Sequence, residues 1–189
     1  MTSHPLTLAS ASPRRLALLA QIGIVPTEIR APDIDETPRR AEKPRFYVRR
    51  MAVEKLAAVQ NPGFVLAADT VVAAGARILP KTLTAAAAET CLRLLSGRRH
   101  DVLTAIAVRD PAGRVTARTV ASVVGFARLD ERQIRAYLAG GEWHGKAGGY
   151  AIQGLAAGFI DFLSGSYSGV VGLPLHETAK LLRGQGYAF

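Results

Sequence analysis

Phe64-Val65-Leu66-Ala67-Ala68 is an apolar run that leads directly into Asp69-Thr70, before Val71-Val72 resume the apolar pattern. The turn cluster Asn61-Pro62-Gly63 precedes it, and a short run of this kind suits a strand covered on both faces. The stretch therefore predicts a buried strand that delivers a carboxylate to its own end. A carboxylate there is costly unless it is paired, hydrogen-bonded or on a metal. In open α/β sheets that end is also where ligands collect. Asp69 is thus either a site acid or a turn aspartate that caps the next segment.

The segments before this strand supply candidate partners. Leu6 to Ala9 reads as a first strand, and a helical run through Leu16, Leu18, Leu19 and Ile22 stops at Gly23. Between them lies Ser10-Ala11-Ser12-Pro13-Arg14-Arg15, with Ser12 as N-cap and Pro13 as first helical residue. A helix start carries free N–H groups that attract anions, and arginine is unfavourable beside that positive end. Two arginines at one helix start point to a phosphate ligand, with a capped helix and a solvated basic turn as the plain alternative. Thr27 to Ala31 reads as a second strand, followed by Asp33, Asp35 and Glu36, either a solvated loop or a divalent-cation site. A helix is expected from about Pro44 to Gln60, with Val48, Met51, Ala52, Leu56 and Val59 on its apolar face. Lys55 falls in the middle of that face, so it either snorkels outward or is held near an anion. Arg45, Arg49, Arg50 and Glu54 read as a solvated face. The basic stretch from Arg39 to Arg50 contains Phe46 and Tyr47, but these aromatics fit helix packing, and nucleic acid is not the expected partner.

Further on, a helix is expected over Thr84 to Leu95, strands over Asp101 to Val108 and Arg114 to Phe126, and a helix capped by Asp130. Gly145 to Gly172 is glycine-rich yet interleaved with aromatic and β-branched residues, so it is an ordered segment with tight turns and close backbone approaches. A last helix runs from about Leu173-Pro174 to Leu182. No linker or repeat divides residues 1–189, which predicts a single domain.

Composition narrows the setting. Lys and Arg outnumber Asp and Glu by 24 to 15, for a formal charge of +9, which favours anionic partners such as nucleotides. No segment reaches the roughly 18 uninterrupted apolar residues of a membrane span. Pro13 and Arg14-Arg15 interrupt any signal-peptide pattern. Cys91 is the only cysteine, so no internal disulfide forms and a reducing compartment is expected. These features predict a soluble cytoplasmic protein without a membrane partner. His4, His100, His144 and His176 match no metal or catalytic spacing and read as surface or structural residues.

Several short motifs recur here in a fixed order. They are Leu8-Ala9-Ser10-x-Ser12-Pro13-Arg14-Arg15, Asp35-Glu36, Lys55, Ala68-Asp69-Thr70-Val71-Val72 and Lys81. After them come Ser96-Gly97 with His100-Asp101-Val102-x-Thr104, Lys146-Ala147-Gly148-Gly149-Tyr150-Ala151-Ile152-Gln153-Gly154, and Val170-Val171-Gly172-Leu173-Pro174-Leu175. In this order, from about Leu6 to Leu182, the chain resembles the Maf family of nucleoside triphosphate pyrophosphatases. The resemblance implies an α/β fold, Maf/ITPase-like, in which helices flank a mixed twisted β-sheet and two lobes surround a deep cleft. It also implies a homodimer, and hydrolysis between the α- and β-phosphates of a nucleoside triphosphate with a divalent cation, Mg2+ or Mn2+.

Carried over by position, Asp69, Glu36 and Lys81 form the catalytic set. Asp69 accepts the proton of the attacking water or serves as a metal ligand, and Glu36 assists the metal. Ser10, Arg14, Lys55 and Lys81 match the phosphate-facing set, with Arg15 beside Arg14 as a further substrate contact. The specificity positions read Arg14, Thr70 and Gln153, which resembles the branch acting on dTTP and UTP. A side-chain amide at Gln153 pairs with the O4/N3–H edge of uracil or thymine, unless it is a core amide. Alternatives are the same chemistry on 7-methyl-GTP or another modified nucleotide, and a non-catalytic regulator of septum formation. Two departures from the family pattern stand out: Pro80-Lys81-Thr82 replaces Gly-Lys-Pro, and Gly169 replaces an asparagine.

Overall fold

A mixed sheet of seven strands organises residues 5–189, which the computed structural model describes. His4 lies outside these residues. Strand β1 (Leu6–Ala9) runs parallel to both its neighbours, β2 (Glu28–Ile29) and β3 (Phe64–Ala74). From β3 the sheet continues antiparallel through β5 (Arg99–Arg109), β6 (Val115–Phe126) and β7 (Ile160–Ser164). Short β4 (Arg77–Leu79) folds back onto the far end of β3.

Asp69 lies near the middle of β3, not at its end. Val71-Val72 belong to the same strand, whose pairing with β5 is continuous from Val65 to Ala73. The other edge of β3 is split. Strand β1 stops at the Ala9–Ala67 pair, and β4 begins only at the Val72–Leu79 pair. Residues 68–71 thus have no strand beside them on that edge. Asp69 sits just past the carboxyl end of β1, so the expected strand-end position is supplied by the neighbouring strand.

Two cores flank the sheet, following its period of two. Val65, Ala67 and Val71 face helix α2 (Pro44–Ala57), packing with Val48, Met51, Ala52, Leu56, Leu103, Ala105 and Ala107. Phe64, Leu66, Ala68 and Val72 face the larger core. There α1 (Pro13–Gln21), α3 (Ala85–Leu95) and α4 (Glu131–Gly140) contribute Leu18, Leu19, Cys91, Leu92, Leu95, Ile134 and Tyr137. Helix α3 is capped by Thr84, and α4 by a reciprocal Asp130–Gln133 box ending at left-handed Gly141. Ser12 is at the N-cap of α1, but its side chain makes no capping bond. The second strand shrinks to Glu28–Ile29.

The glycine-rich stretch folds into a 3-10 turn (Leu155–Phe159), β7 and helix α5 (Tyr167–Val171), before the last helix α6 (Leu175–Gly184). One of its close approaches is to β3. Gly148 has φ +65°, and a Cβ there would lie 2.9 Å from Val72 Cγ1. No helix among the described residues is long and apolar enough to cross a membrane.

His100 is buried in this core, its Nε2 2.7 Å from Tyr150 Oη, with Phe126 edge-on to both rings. Burial pushes its pKa down to about 4. The folded state therefore binds fewer protons than the unfolded chain between about pH 6.5 and 4, and stability falls as pH drops through that window. Urea titrations should show a loss of about 3 kcal/mol from this group over the window, absent in His100→Asn. Equal slopes in both proteins would contradict a neutral buried His100.

Candidate active site

The gap in the β3 edge is where the site residues converge. Asp69 shares the α2-facing side of β3 with Ala67 and Val71, and Lys55 comes from the buried face of α2 opposite it. Lys55 Nζ lies 2.6 Å from Asp69 Oδ1 and 2.7 Å from Glu36 Oε1. The Lys55 and Asp69 side chains are only 8% and 5% exposed, a depth at which neither charge is tolerable alone. Of the two fates open to Lys55, the structure shows the pairing with anions. Glu36 reaches it from the loop after β2, and its other oxygen, Oε2, accepts from Lys81. Burial raises the Glu36 pKa, but the hydrogen bonds and charges of Lys55 and Lys81 outweigh this and hold it below the ordinary carboxylate range. The acidic triplet is therefore divided: Glu36 turns into the cleft, while Asp35 accepts from the Thr37 N–H at 2.9 Å on the surface.

Lys81 is placed by the segment that departs from the family pattern. Pro80 O accepts from Gly148 N–H (3.0 Å), Thr82 N–H donates to Lys146 O (3.0 Å), and Thr82 Oγ1 donates to Trp143 O (2.7 Å). A β-bridge pairs Lys81 with Ala147. The threonine thus fastens the Lys81 loop to the stretch that brings His144 and Lys146 to the cleft wall.

Thr70 projects from the opposite side of β3, yet both side chains meet the same opening because the strand edge is bare there. Thr70 Oγ1 lies 3.0 Å from Thr104 Oγ1, which donates to Gly169 O at 2.7 Å. The two arginines of α1 divide their roles. Arg15 turns inward: Nη1 donates to Ser10 Oγ (2.9 Å), Nε to Gly172 O (2.9 Å) and Nη2 to Thr70 Oγ1 (3.5 Å). Of the two, it is Arg15 that contacts Thr70. Arg14 and Lys146 both line the cleft; burial lowers the pKa of Arg14, and burial first and then the charge of Arg14 lower that of Lys146.

These residues line a cavity of about 440 Å3 that also includes Gln153, which is exposed and therefore not a core amide. All the residues expected at the site are brought together here: Ser10, Arg14, Arg15, Glu36, Lys55, Asp69, Thr70, Lys81 and Gln153. Reasoning from single residues missed Lys146 and His144 as wall residues. The Lys-Ala-Gly-Gly motif was the available signal for Lys146, and His144 carried none. A larger hollow of about 590 Å3 between β6 and α6 gathers no comparable acid–lysine cluster. Among the described residues, no three His, Cys, Asp or Glu side chains converge to hold a metal alone. Glu36 and Asp69 do converge on one positive point, the Lys55 ammonium. Two carboxylates completed by substrate phosphates are a donor set suited to Mg2+.

Removing the shared cation leaves two carboxylates facing each other, one of them buried. Lys55→Met is expected to lower stability by about 3–5 kcal/mol in urea unfolding, and adding Asp69→Asn should restore part of the loss. Full stability in Lys55→Met would contradict the paired burial.

The family model for Maf-like proteins matches residues 5–185. The dTTP/UTP pyrophosphatase of Caulobacter vibrioides is 58% identical over 185 residues, covering 96% of both chains. That of Rhodospirillum rubrum is 59% identical over 189 residues, covering 98% of this chain and 90% of its own. A solved structure, the Staphylococcus aureus Ham1 protein, overlaps 65% of this chain and 72% of its own at 16% identity, with a TM-score of 0.48. From the length of the family match and the identity to these relatives, the chain belongs to the Maf family.

Proposed function

We propose that this protein is a nucleotide pyrophosphatase that hydrolyses dTTP and UTP to the monophosphate and pyrophosphate. The observation that carries this reading is the charge pattern of the cleft. Arg14, Arg15, Lys55, Lys81 and Lys146 surround only two carboxylates, Glu36 and Asp69. Such a site is complementary to a polyanion, and phosphoryl transfer depends chiefly on positioning and charge neutralisation. The names of the relatives supply the nucleotide class.

In this reading Arg14 and Lys146 receive the phosphate tail, and Lys55 and Lys81 exchange part of their contact with Glu36 for phosphate oxygens. Arg15 holds Ser10 and Thr70 in place from behind. Asp69 Oδ1 is engaged by Lys55, which leaves Oδ2 to accept the proton of a water that attacks the α-phosphorus. The bond from that phosphorus to the bridging oxygen breaks, and pyrophosphate departs with the electron pair. Glu36 would hold a divalent cation, Mg2+ or Mn2+, which would supply charge neutralisation for the phosphates, with Asp69 as the second carboxylate in the alternative where it is a metal ligand and not the base. Gln153 at the cleft rim offers both a donor and an acceptor to a pyrimidine edge. The family resemblance is also the ground for a homodimer, and the single buried Cys91 fits a reducing cytoplasm.

Pyrophosphate release with Mg2+ or Mn2+ tests this directly. dTTP and UTP should be preferred to CTP and 7-methyl-GTP, and Asp69→Asn should lower kcat by about 10²–10⁴-fold. A preference for 7-methyl-GTP would overturn the pyrimidine assignment, and an unchanged Asp69→Asn would overturn the role of this acid.

A further inference from the structure

Glu36 sits on a loop, yet its carboxylate must meet Lys55 and Lys81 within hydrogen-bonding reach. Besides the Lys81 contact with the Glu36 carboxylate, the loop is fastened by the helix that carries Lys55. Tyr47 Oη donates to the backbone carbonyl of Glu36 itself at 2.7 Å. One turn along α2, Arg50 Nη2 donates to Thr37 O at 3.1 Å, and its guanidinium grips Glu42 through two bonds of 2.6 and 2.7 Å. Glu54, a further turn on, closes the set through Arg50 at 3.1 Å and Arg39 at 3.4 Å. Arg50 is therefore not part of a merely solvated face, since its side chain is only 15% exposed. Tyr47, Arg50 and Glu54 follow helical spacing along α2, ending beside Lys55.

The geometry points to Tyr47 as the positioning residue for Glu36, its hydroxyl locking the loop so that the carboxylate meets the two lysines. The inference rests on the pyrophosphatase reading for its kinetic consequence, but not for the contact. The ring of Tyr47 packs in the core beneath α2 with the Arg50 guanidinium 5.5 Å over its face, and the hydroxyl alone reaches the Glu36 carbonyl. Burial first, and then the charges of Asp69 and Glu36, push the phenol pKa upward, so the hydroxyl keeps its proton and remains a donor. Without it, the Glu36 carbonyl loses its partner and the loop gains freedom at the residue whose side chain matters. Arg50 holds the adjacent residue, so the loop remains attached and the change is a loss of aim.

Tyr47→Phe retains the ring and isolates the hydroxyl. Hydrogen exchange at the amides of Glu36 and Thr37 should quicken by about tenfold, with α2 unchanged. The kcat on dTTP should fall by about tenfold with KM altered less than about twofold, as expected for a misplaced group. In a Glu36→Gln background the same substitution should change kcat by less than about twofold, because its effect passes through Glu36. Unchanged exchange at Glu36 and Thr37, or an equal loss of kcat in both backgrounds, would overturn the positioning role. If the unsubstituted protein hydrolyses no nucleotide, the pyrophosphatase reading fails by itself, while the exchange comparison still decides whether Tyr47 holds the loop.

Discussion

The ammonium of Lys55 is the charge on which this site depends. It lies among apolar residues of α2 and neutralises two carboxylates from separate parts of the chain, Asp69 of β3 and Glu36 of the loop before α2. In so little solvent, the attraction offsets desolvation only when every partner is present. The fold therefore holds three charged groups in mutual contact, and the contact persists because α2 packs tightly on β3 and β5 through Val48, Met51, Ala52 and Leu56. Lys81 adds a second cation to Glu36 from the solvent side, so the cluster grades from buried to exposed toward the cleft. A phosphate chain entering from that side finds lysines already aimed and partly desolvated, which is the preorganisation that phosphoryl transfer requires.

A broken strand edge lets this cluster reach a ligand. Opposite faces of one strand ordinarily serve two separate layers, and Asp69 and Thr70 do project to opposite sides. Because β1 ends at Ala9 and β4 starts pairing only at Val72, both side chains border the same bare stretch of β3. Parallel β1 brings the Ser10 to Arg15 turn to this opening, and antiparallel β4 leads to Lys81. One edge thus gathers phosphate-facing groups from both directions of the chain.

Local chemistry made much of this legible in the sequence. The buried strand, the helix with Lys55 on its apolar face and the arginines at a helix start follow from composition, period and capping. What it could not reveal is non-local. Asp69 reads as terminal because polar residues usually end a strand. Only pairing with β5 and β4 shows that the strand runs on to Ala74. Neighbouring Arg14 and Arg15 are indistinguishable by type, and their division follows from the position of Gly172 and Thr70 across the cleft. Strand β7 and helix α5 were hidden by the glycines, whose turns take shape only against other elements, as Gly148 does against Val72. Of the two departures from the family pattern, Thr82 anchors its loop through Trp143, and Gly169 offers its carbonyl to Thr104. Both residues thus sit behind the cleft wall and fasten segments that line it.

The most direct measurement is a crystal structure of Asp69→Asn with dTTP and Mg2+. The account predicts the nucleotide in the cleft, its α-phosphorus facing residue 69 and its phosphate oxygens on Lys55, Lys81 and Arg14. A triphosphate seated elsewhere, such as the hollow between β6 and α6, or one whose phosphates leave Lys55 untouched, would contradict it.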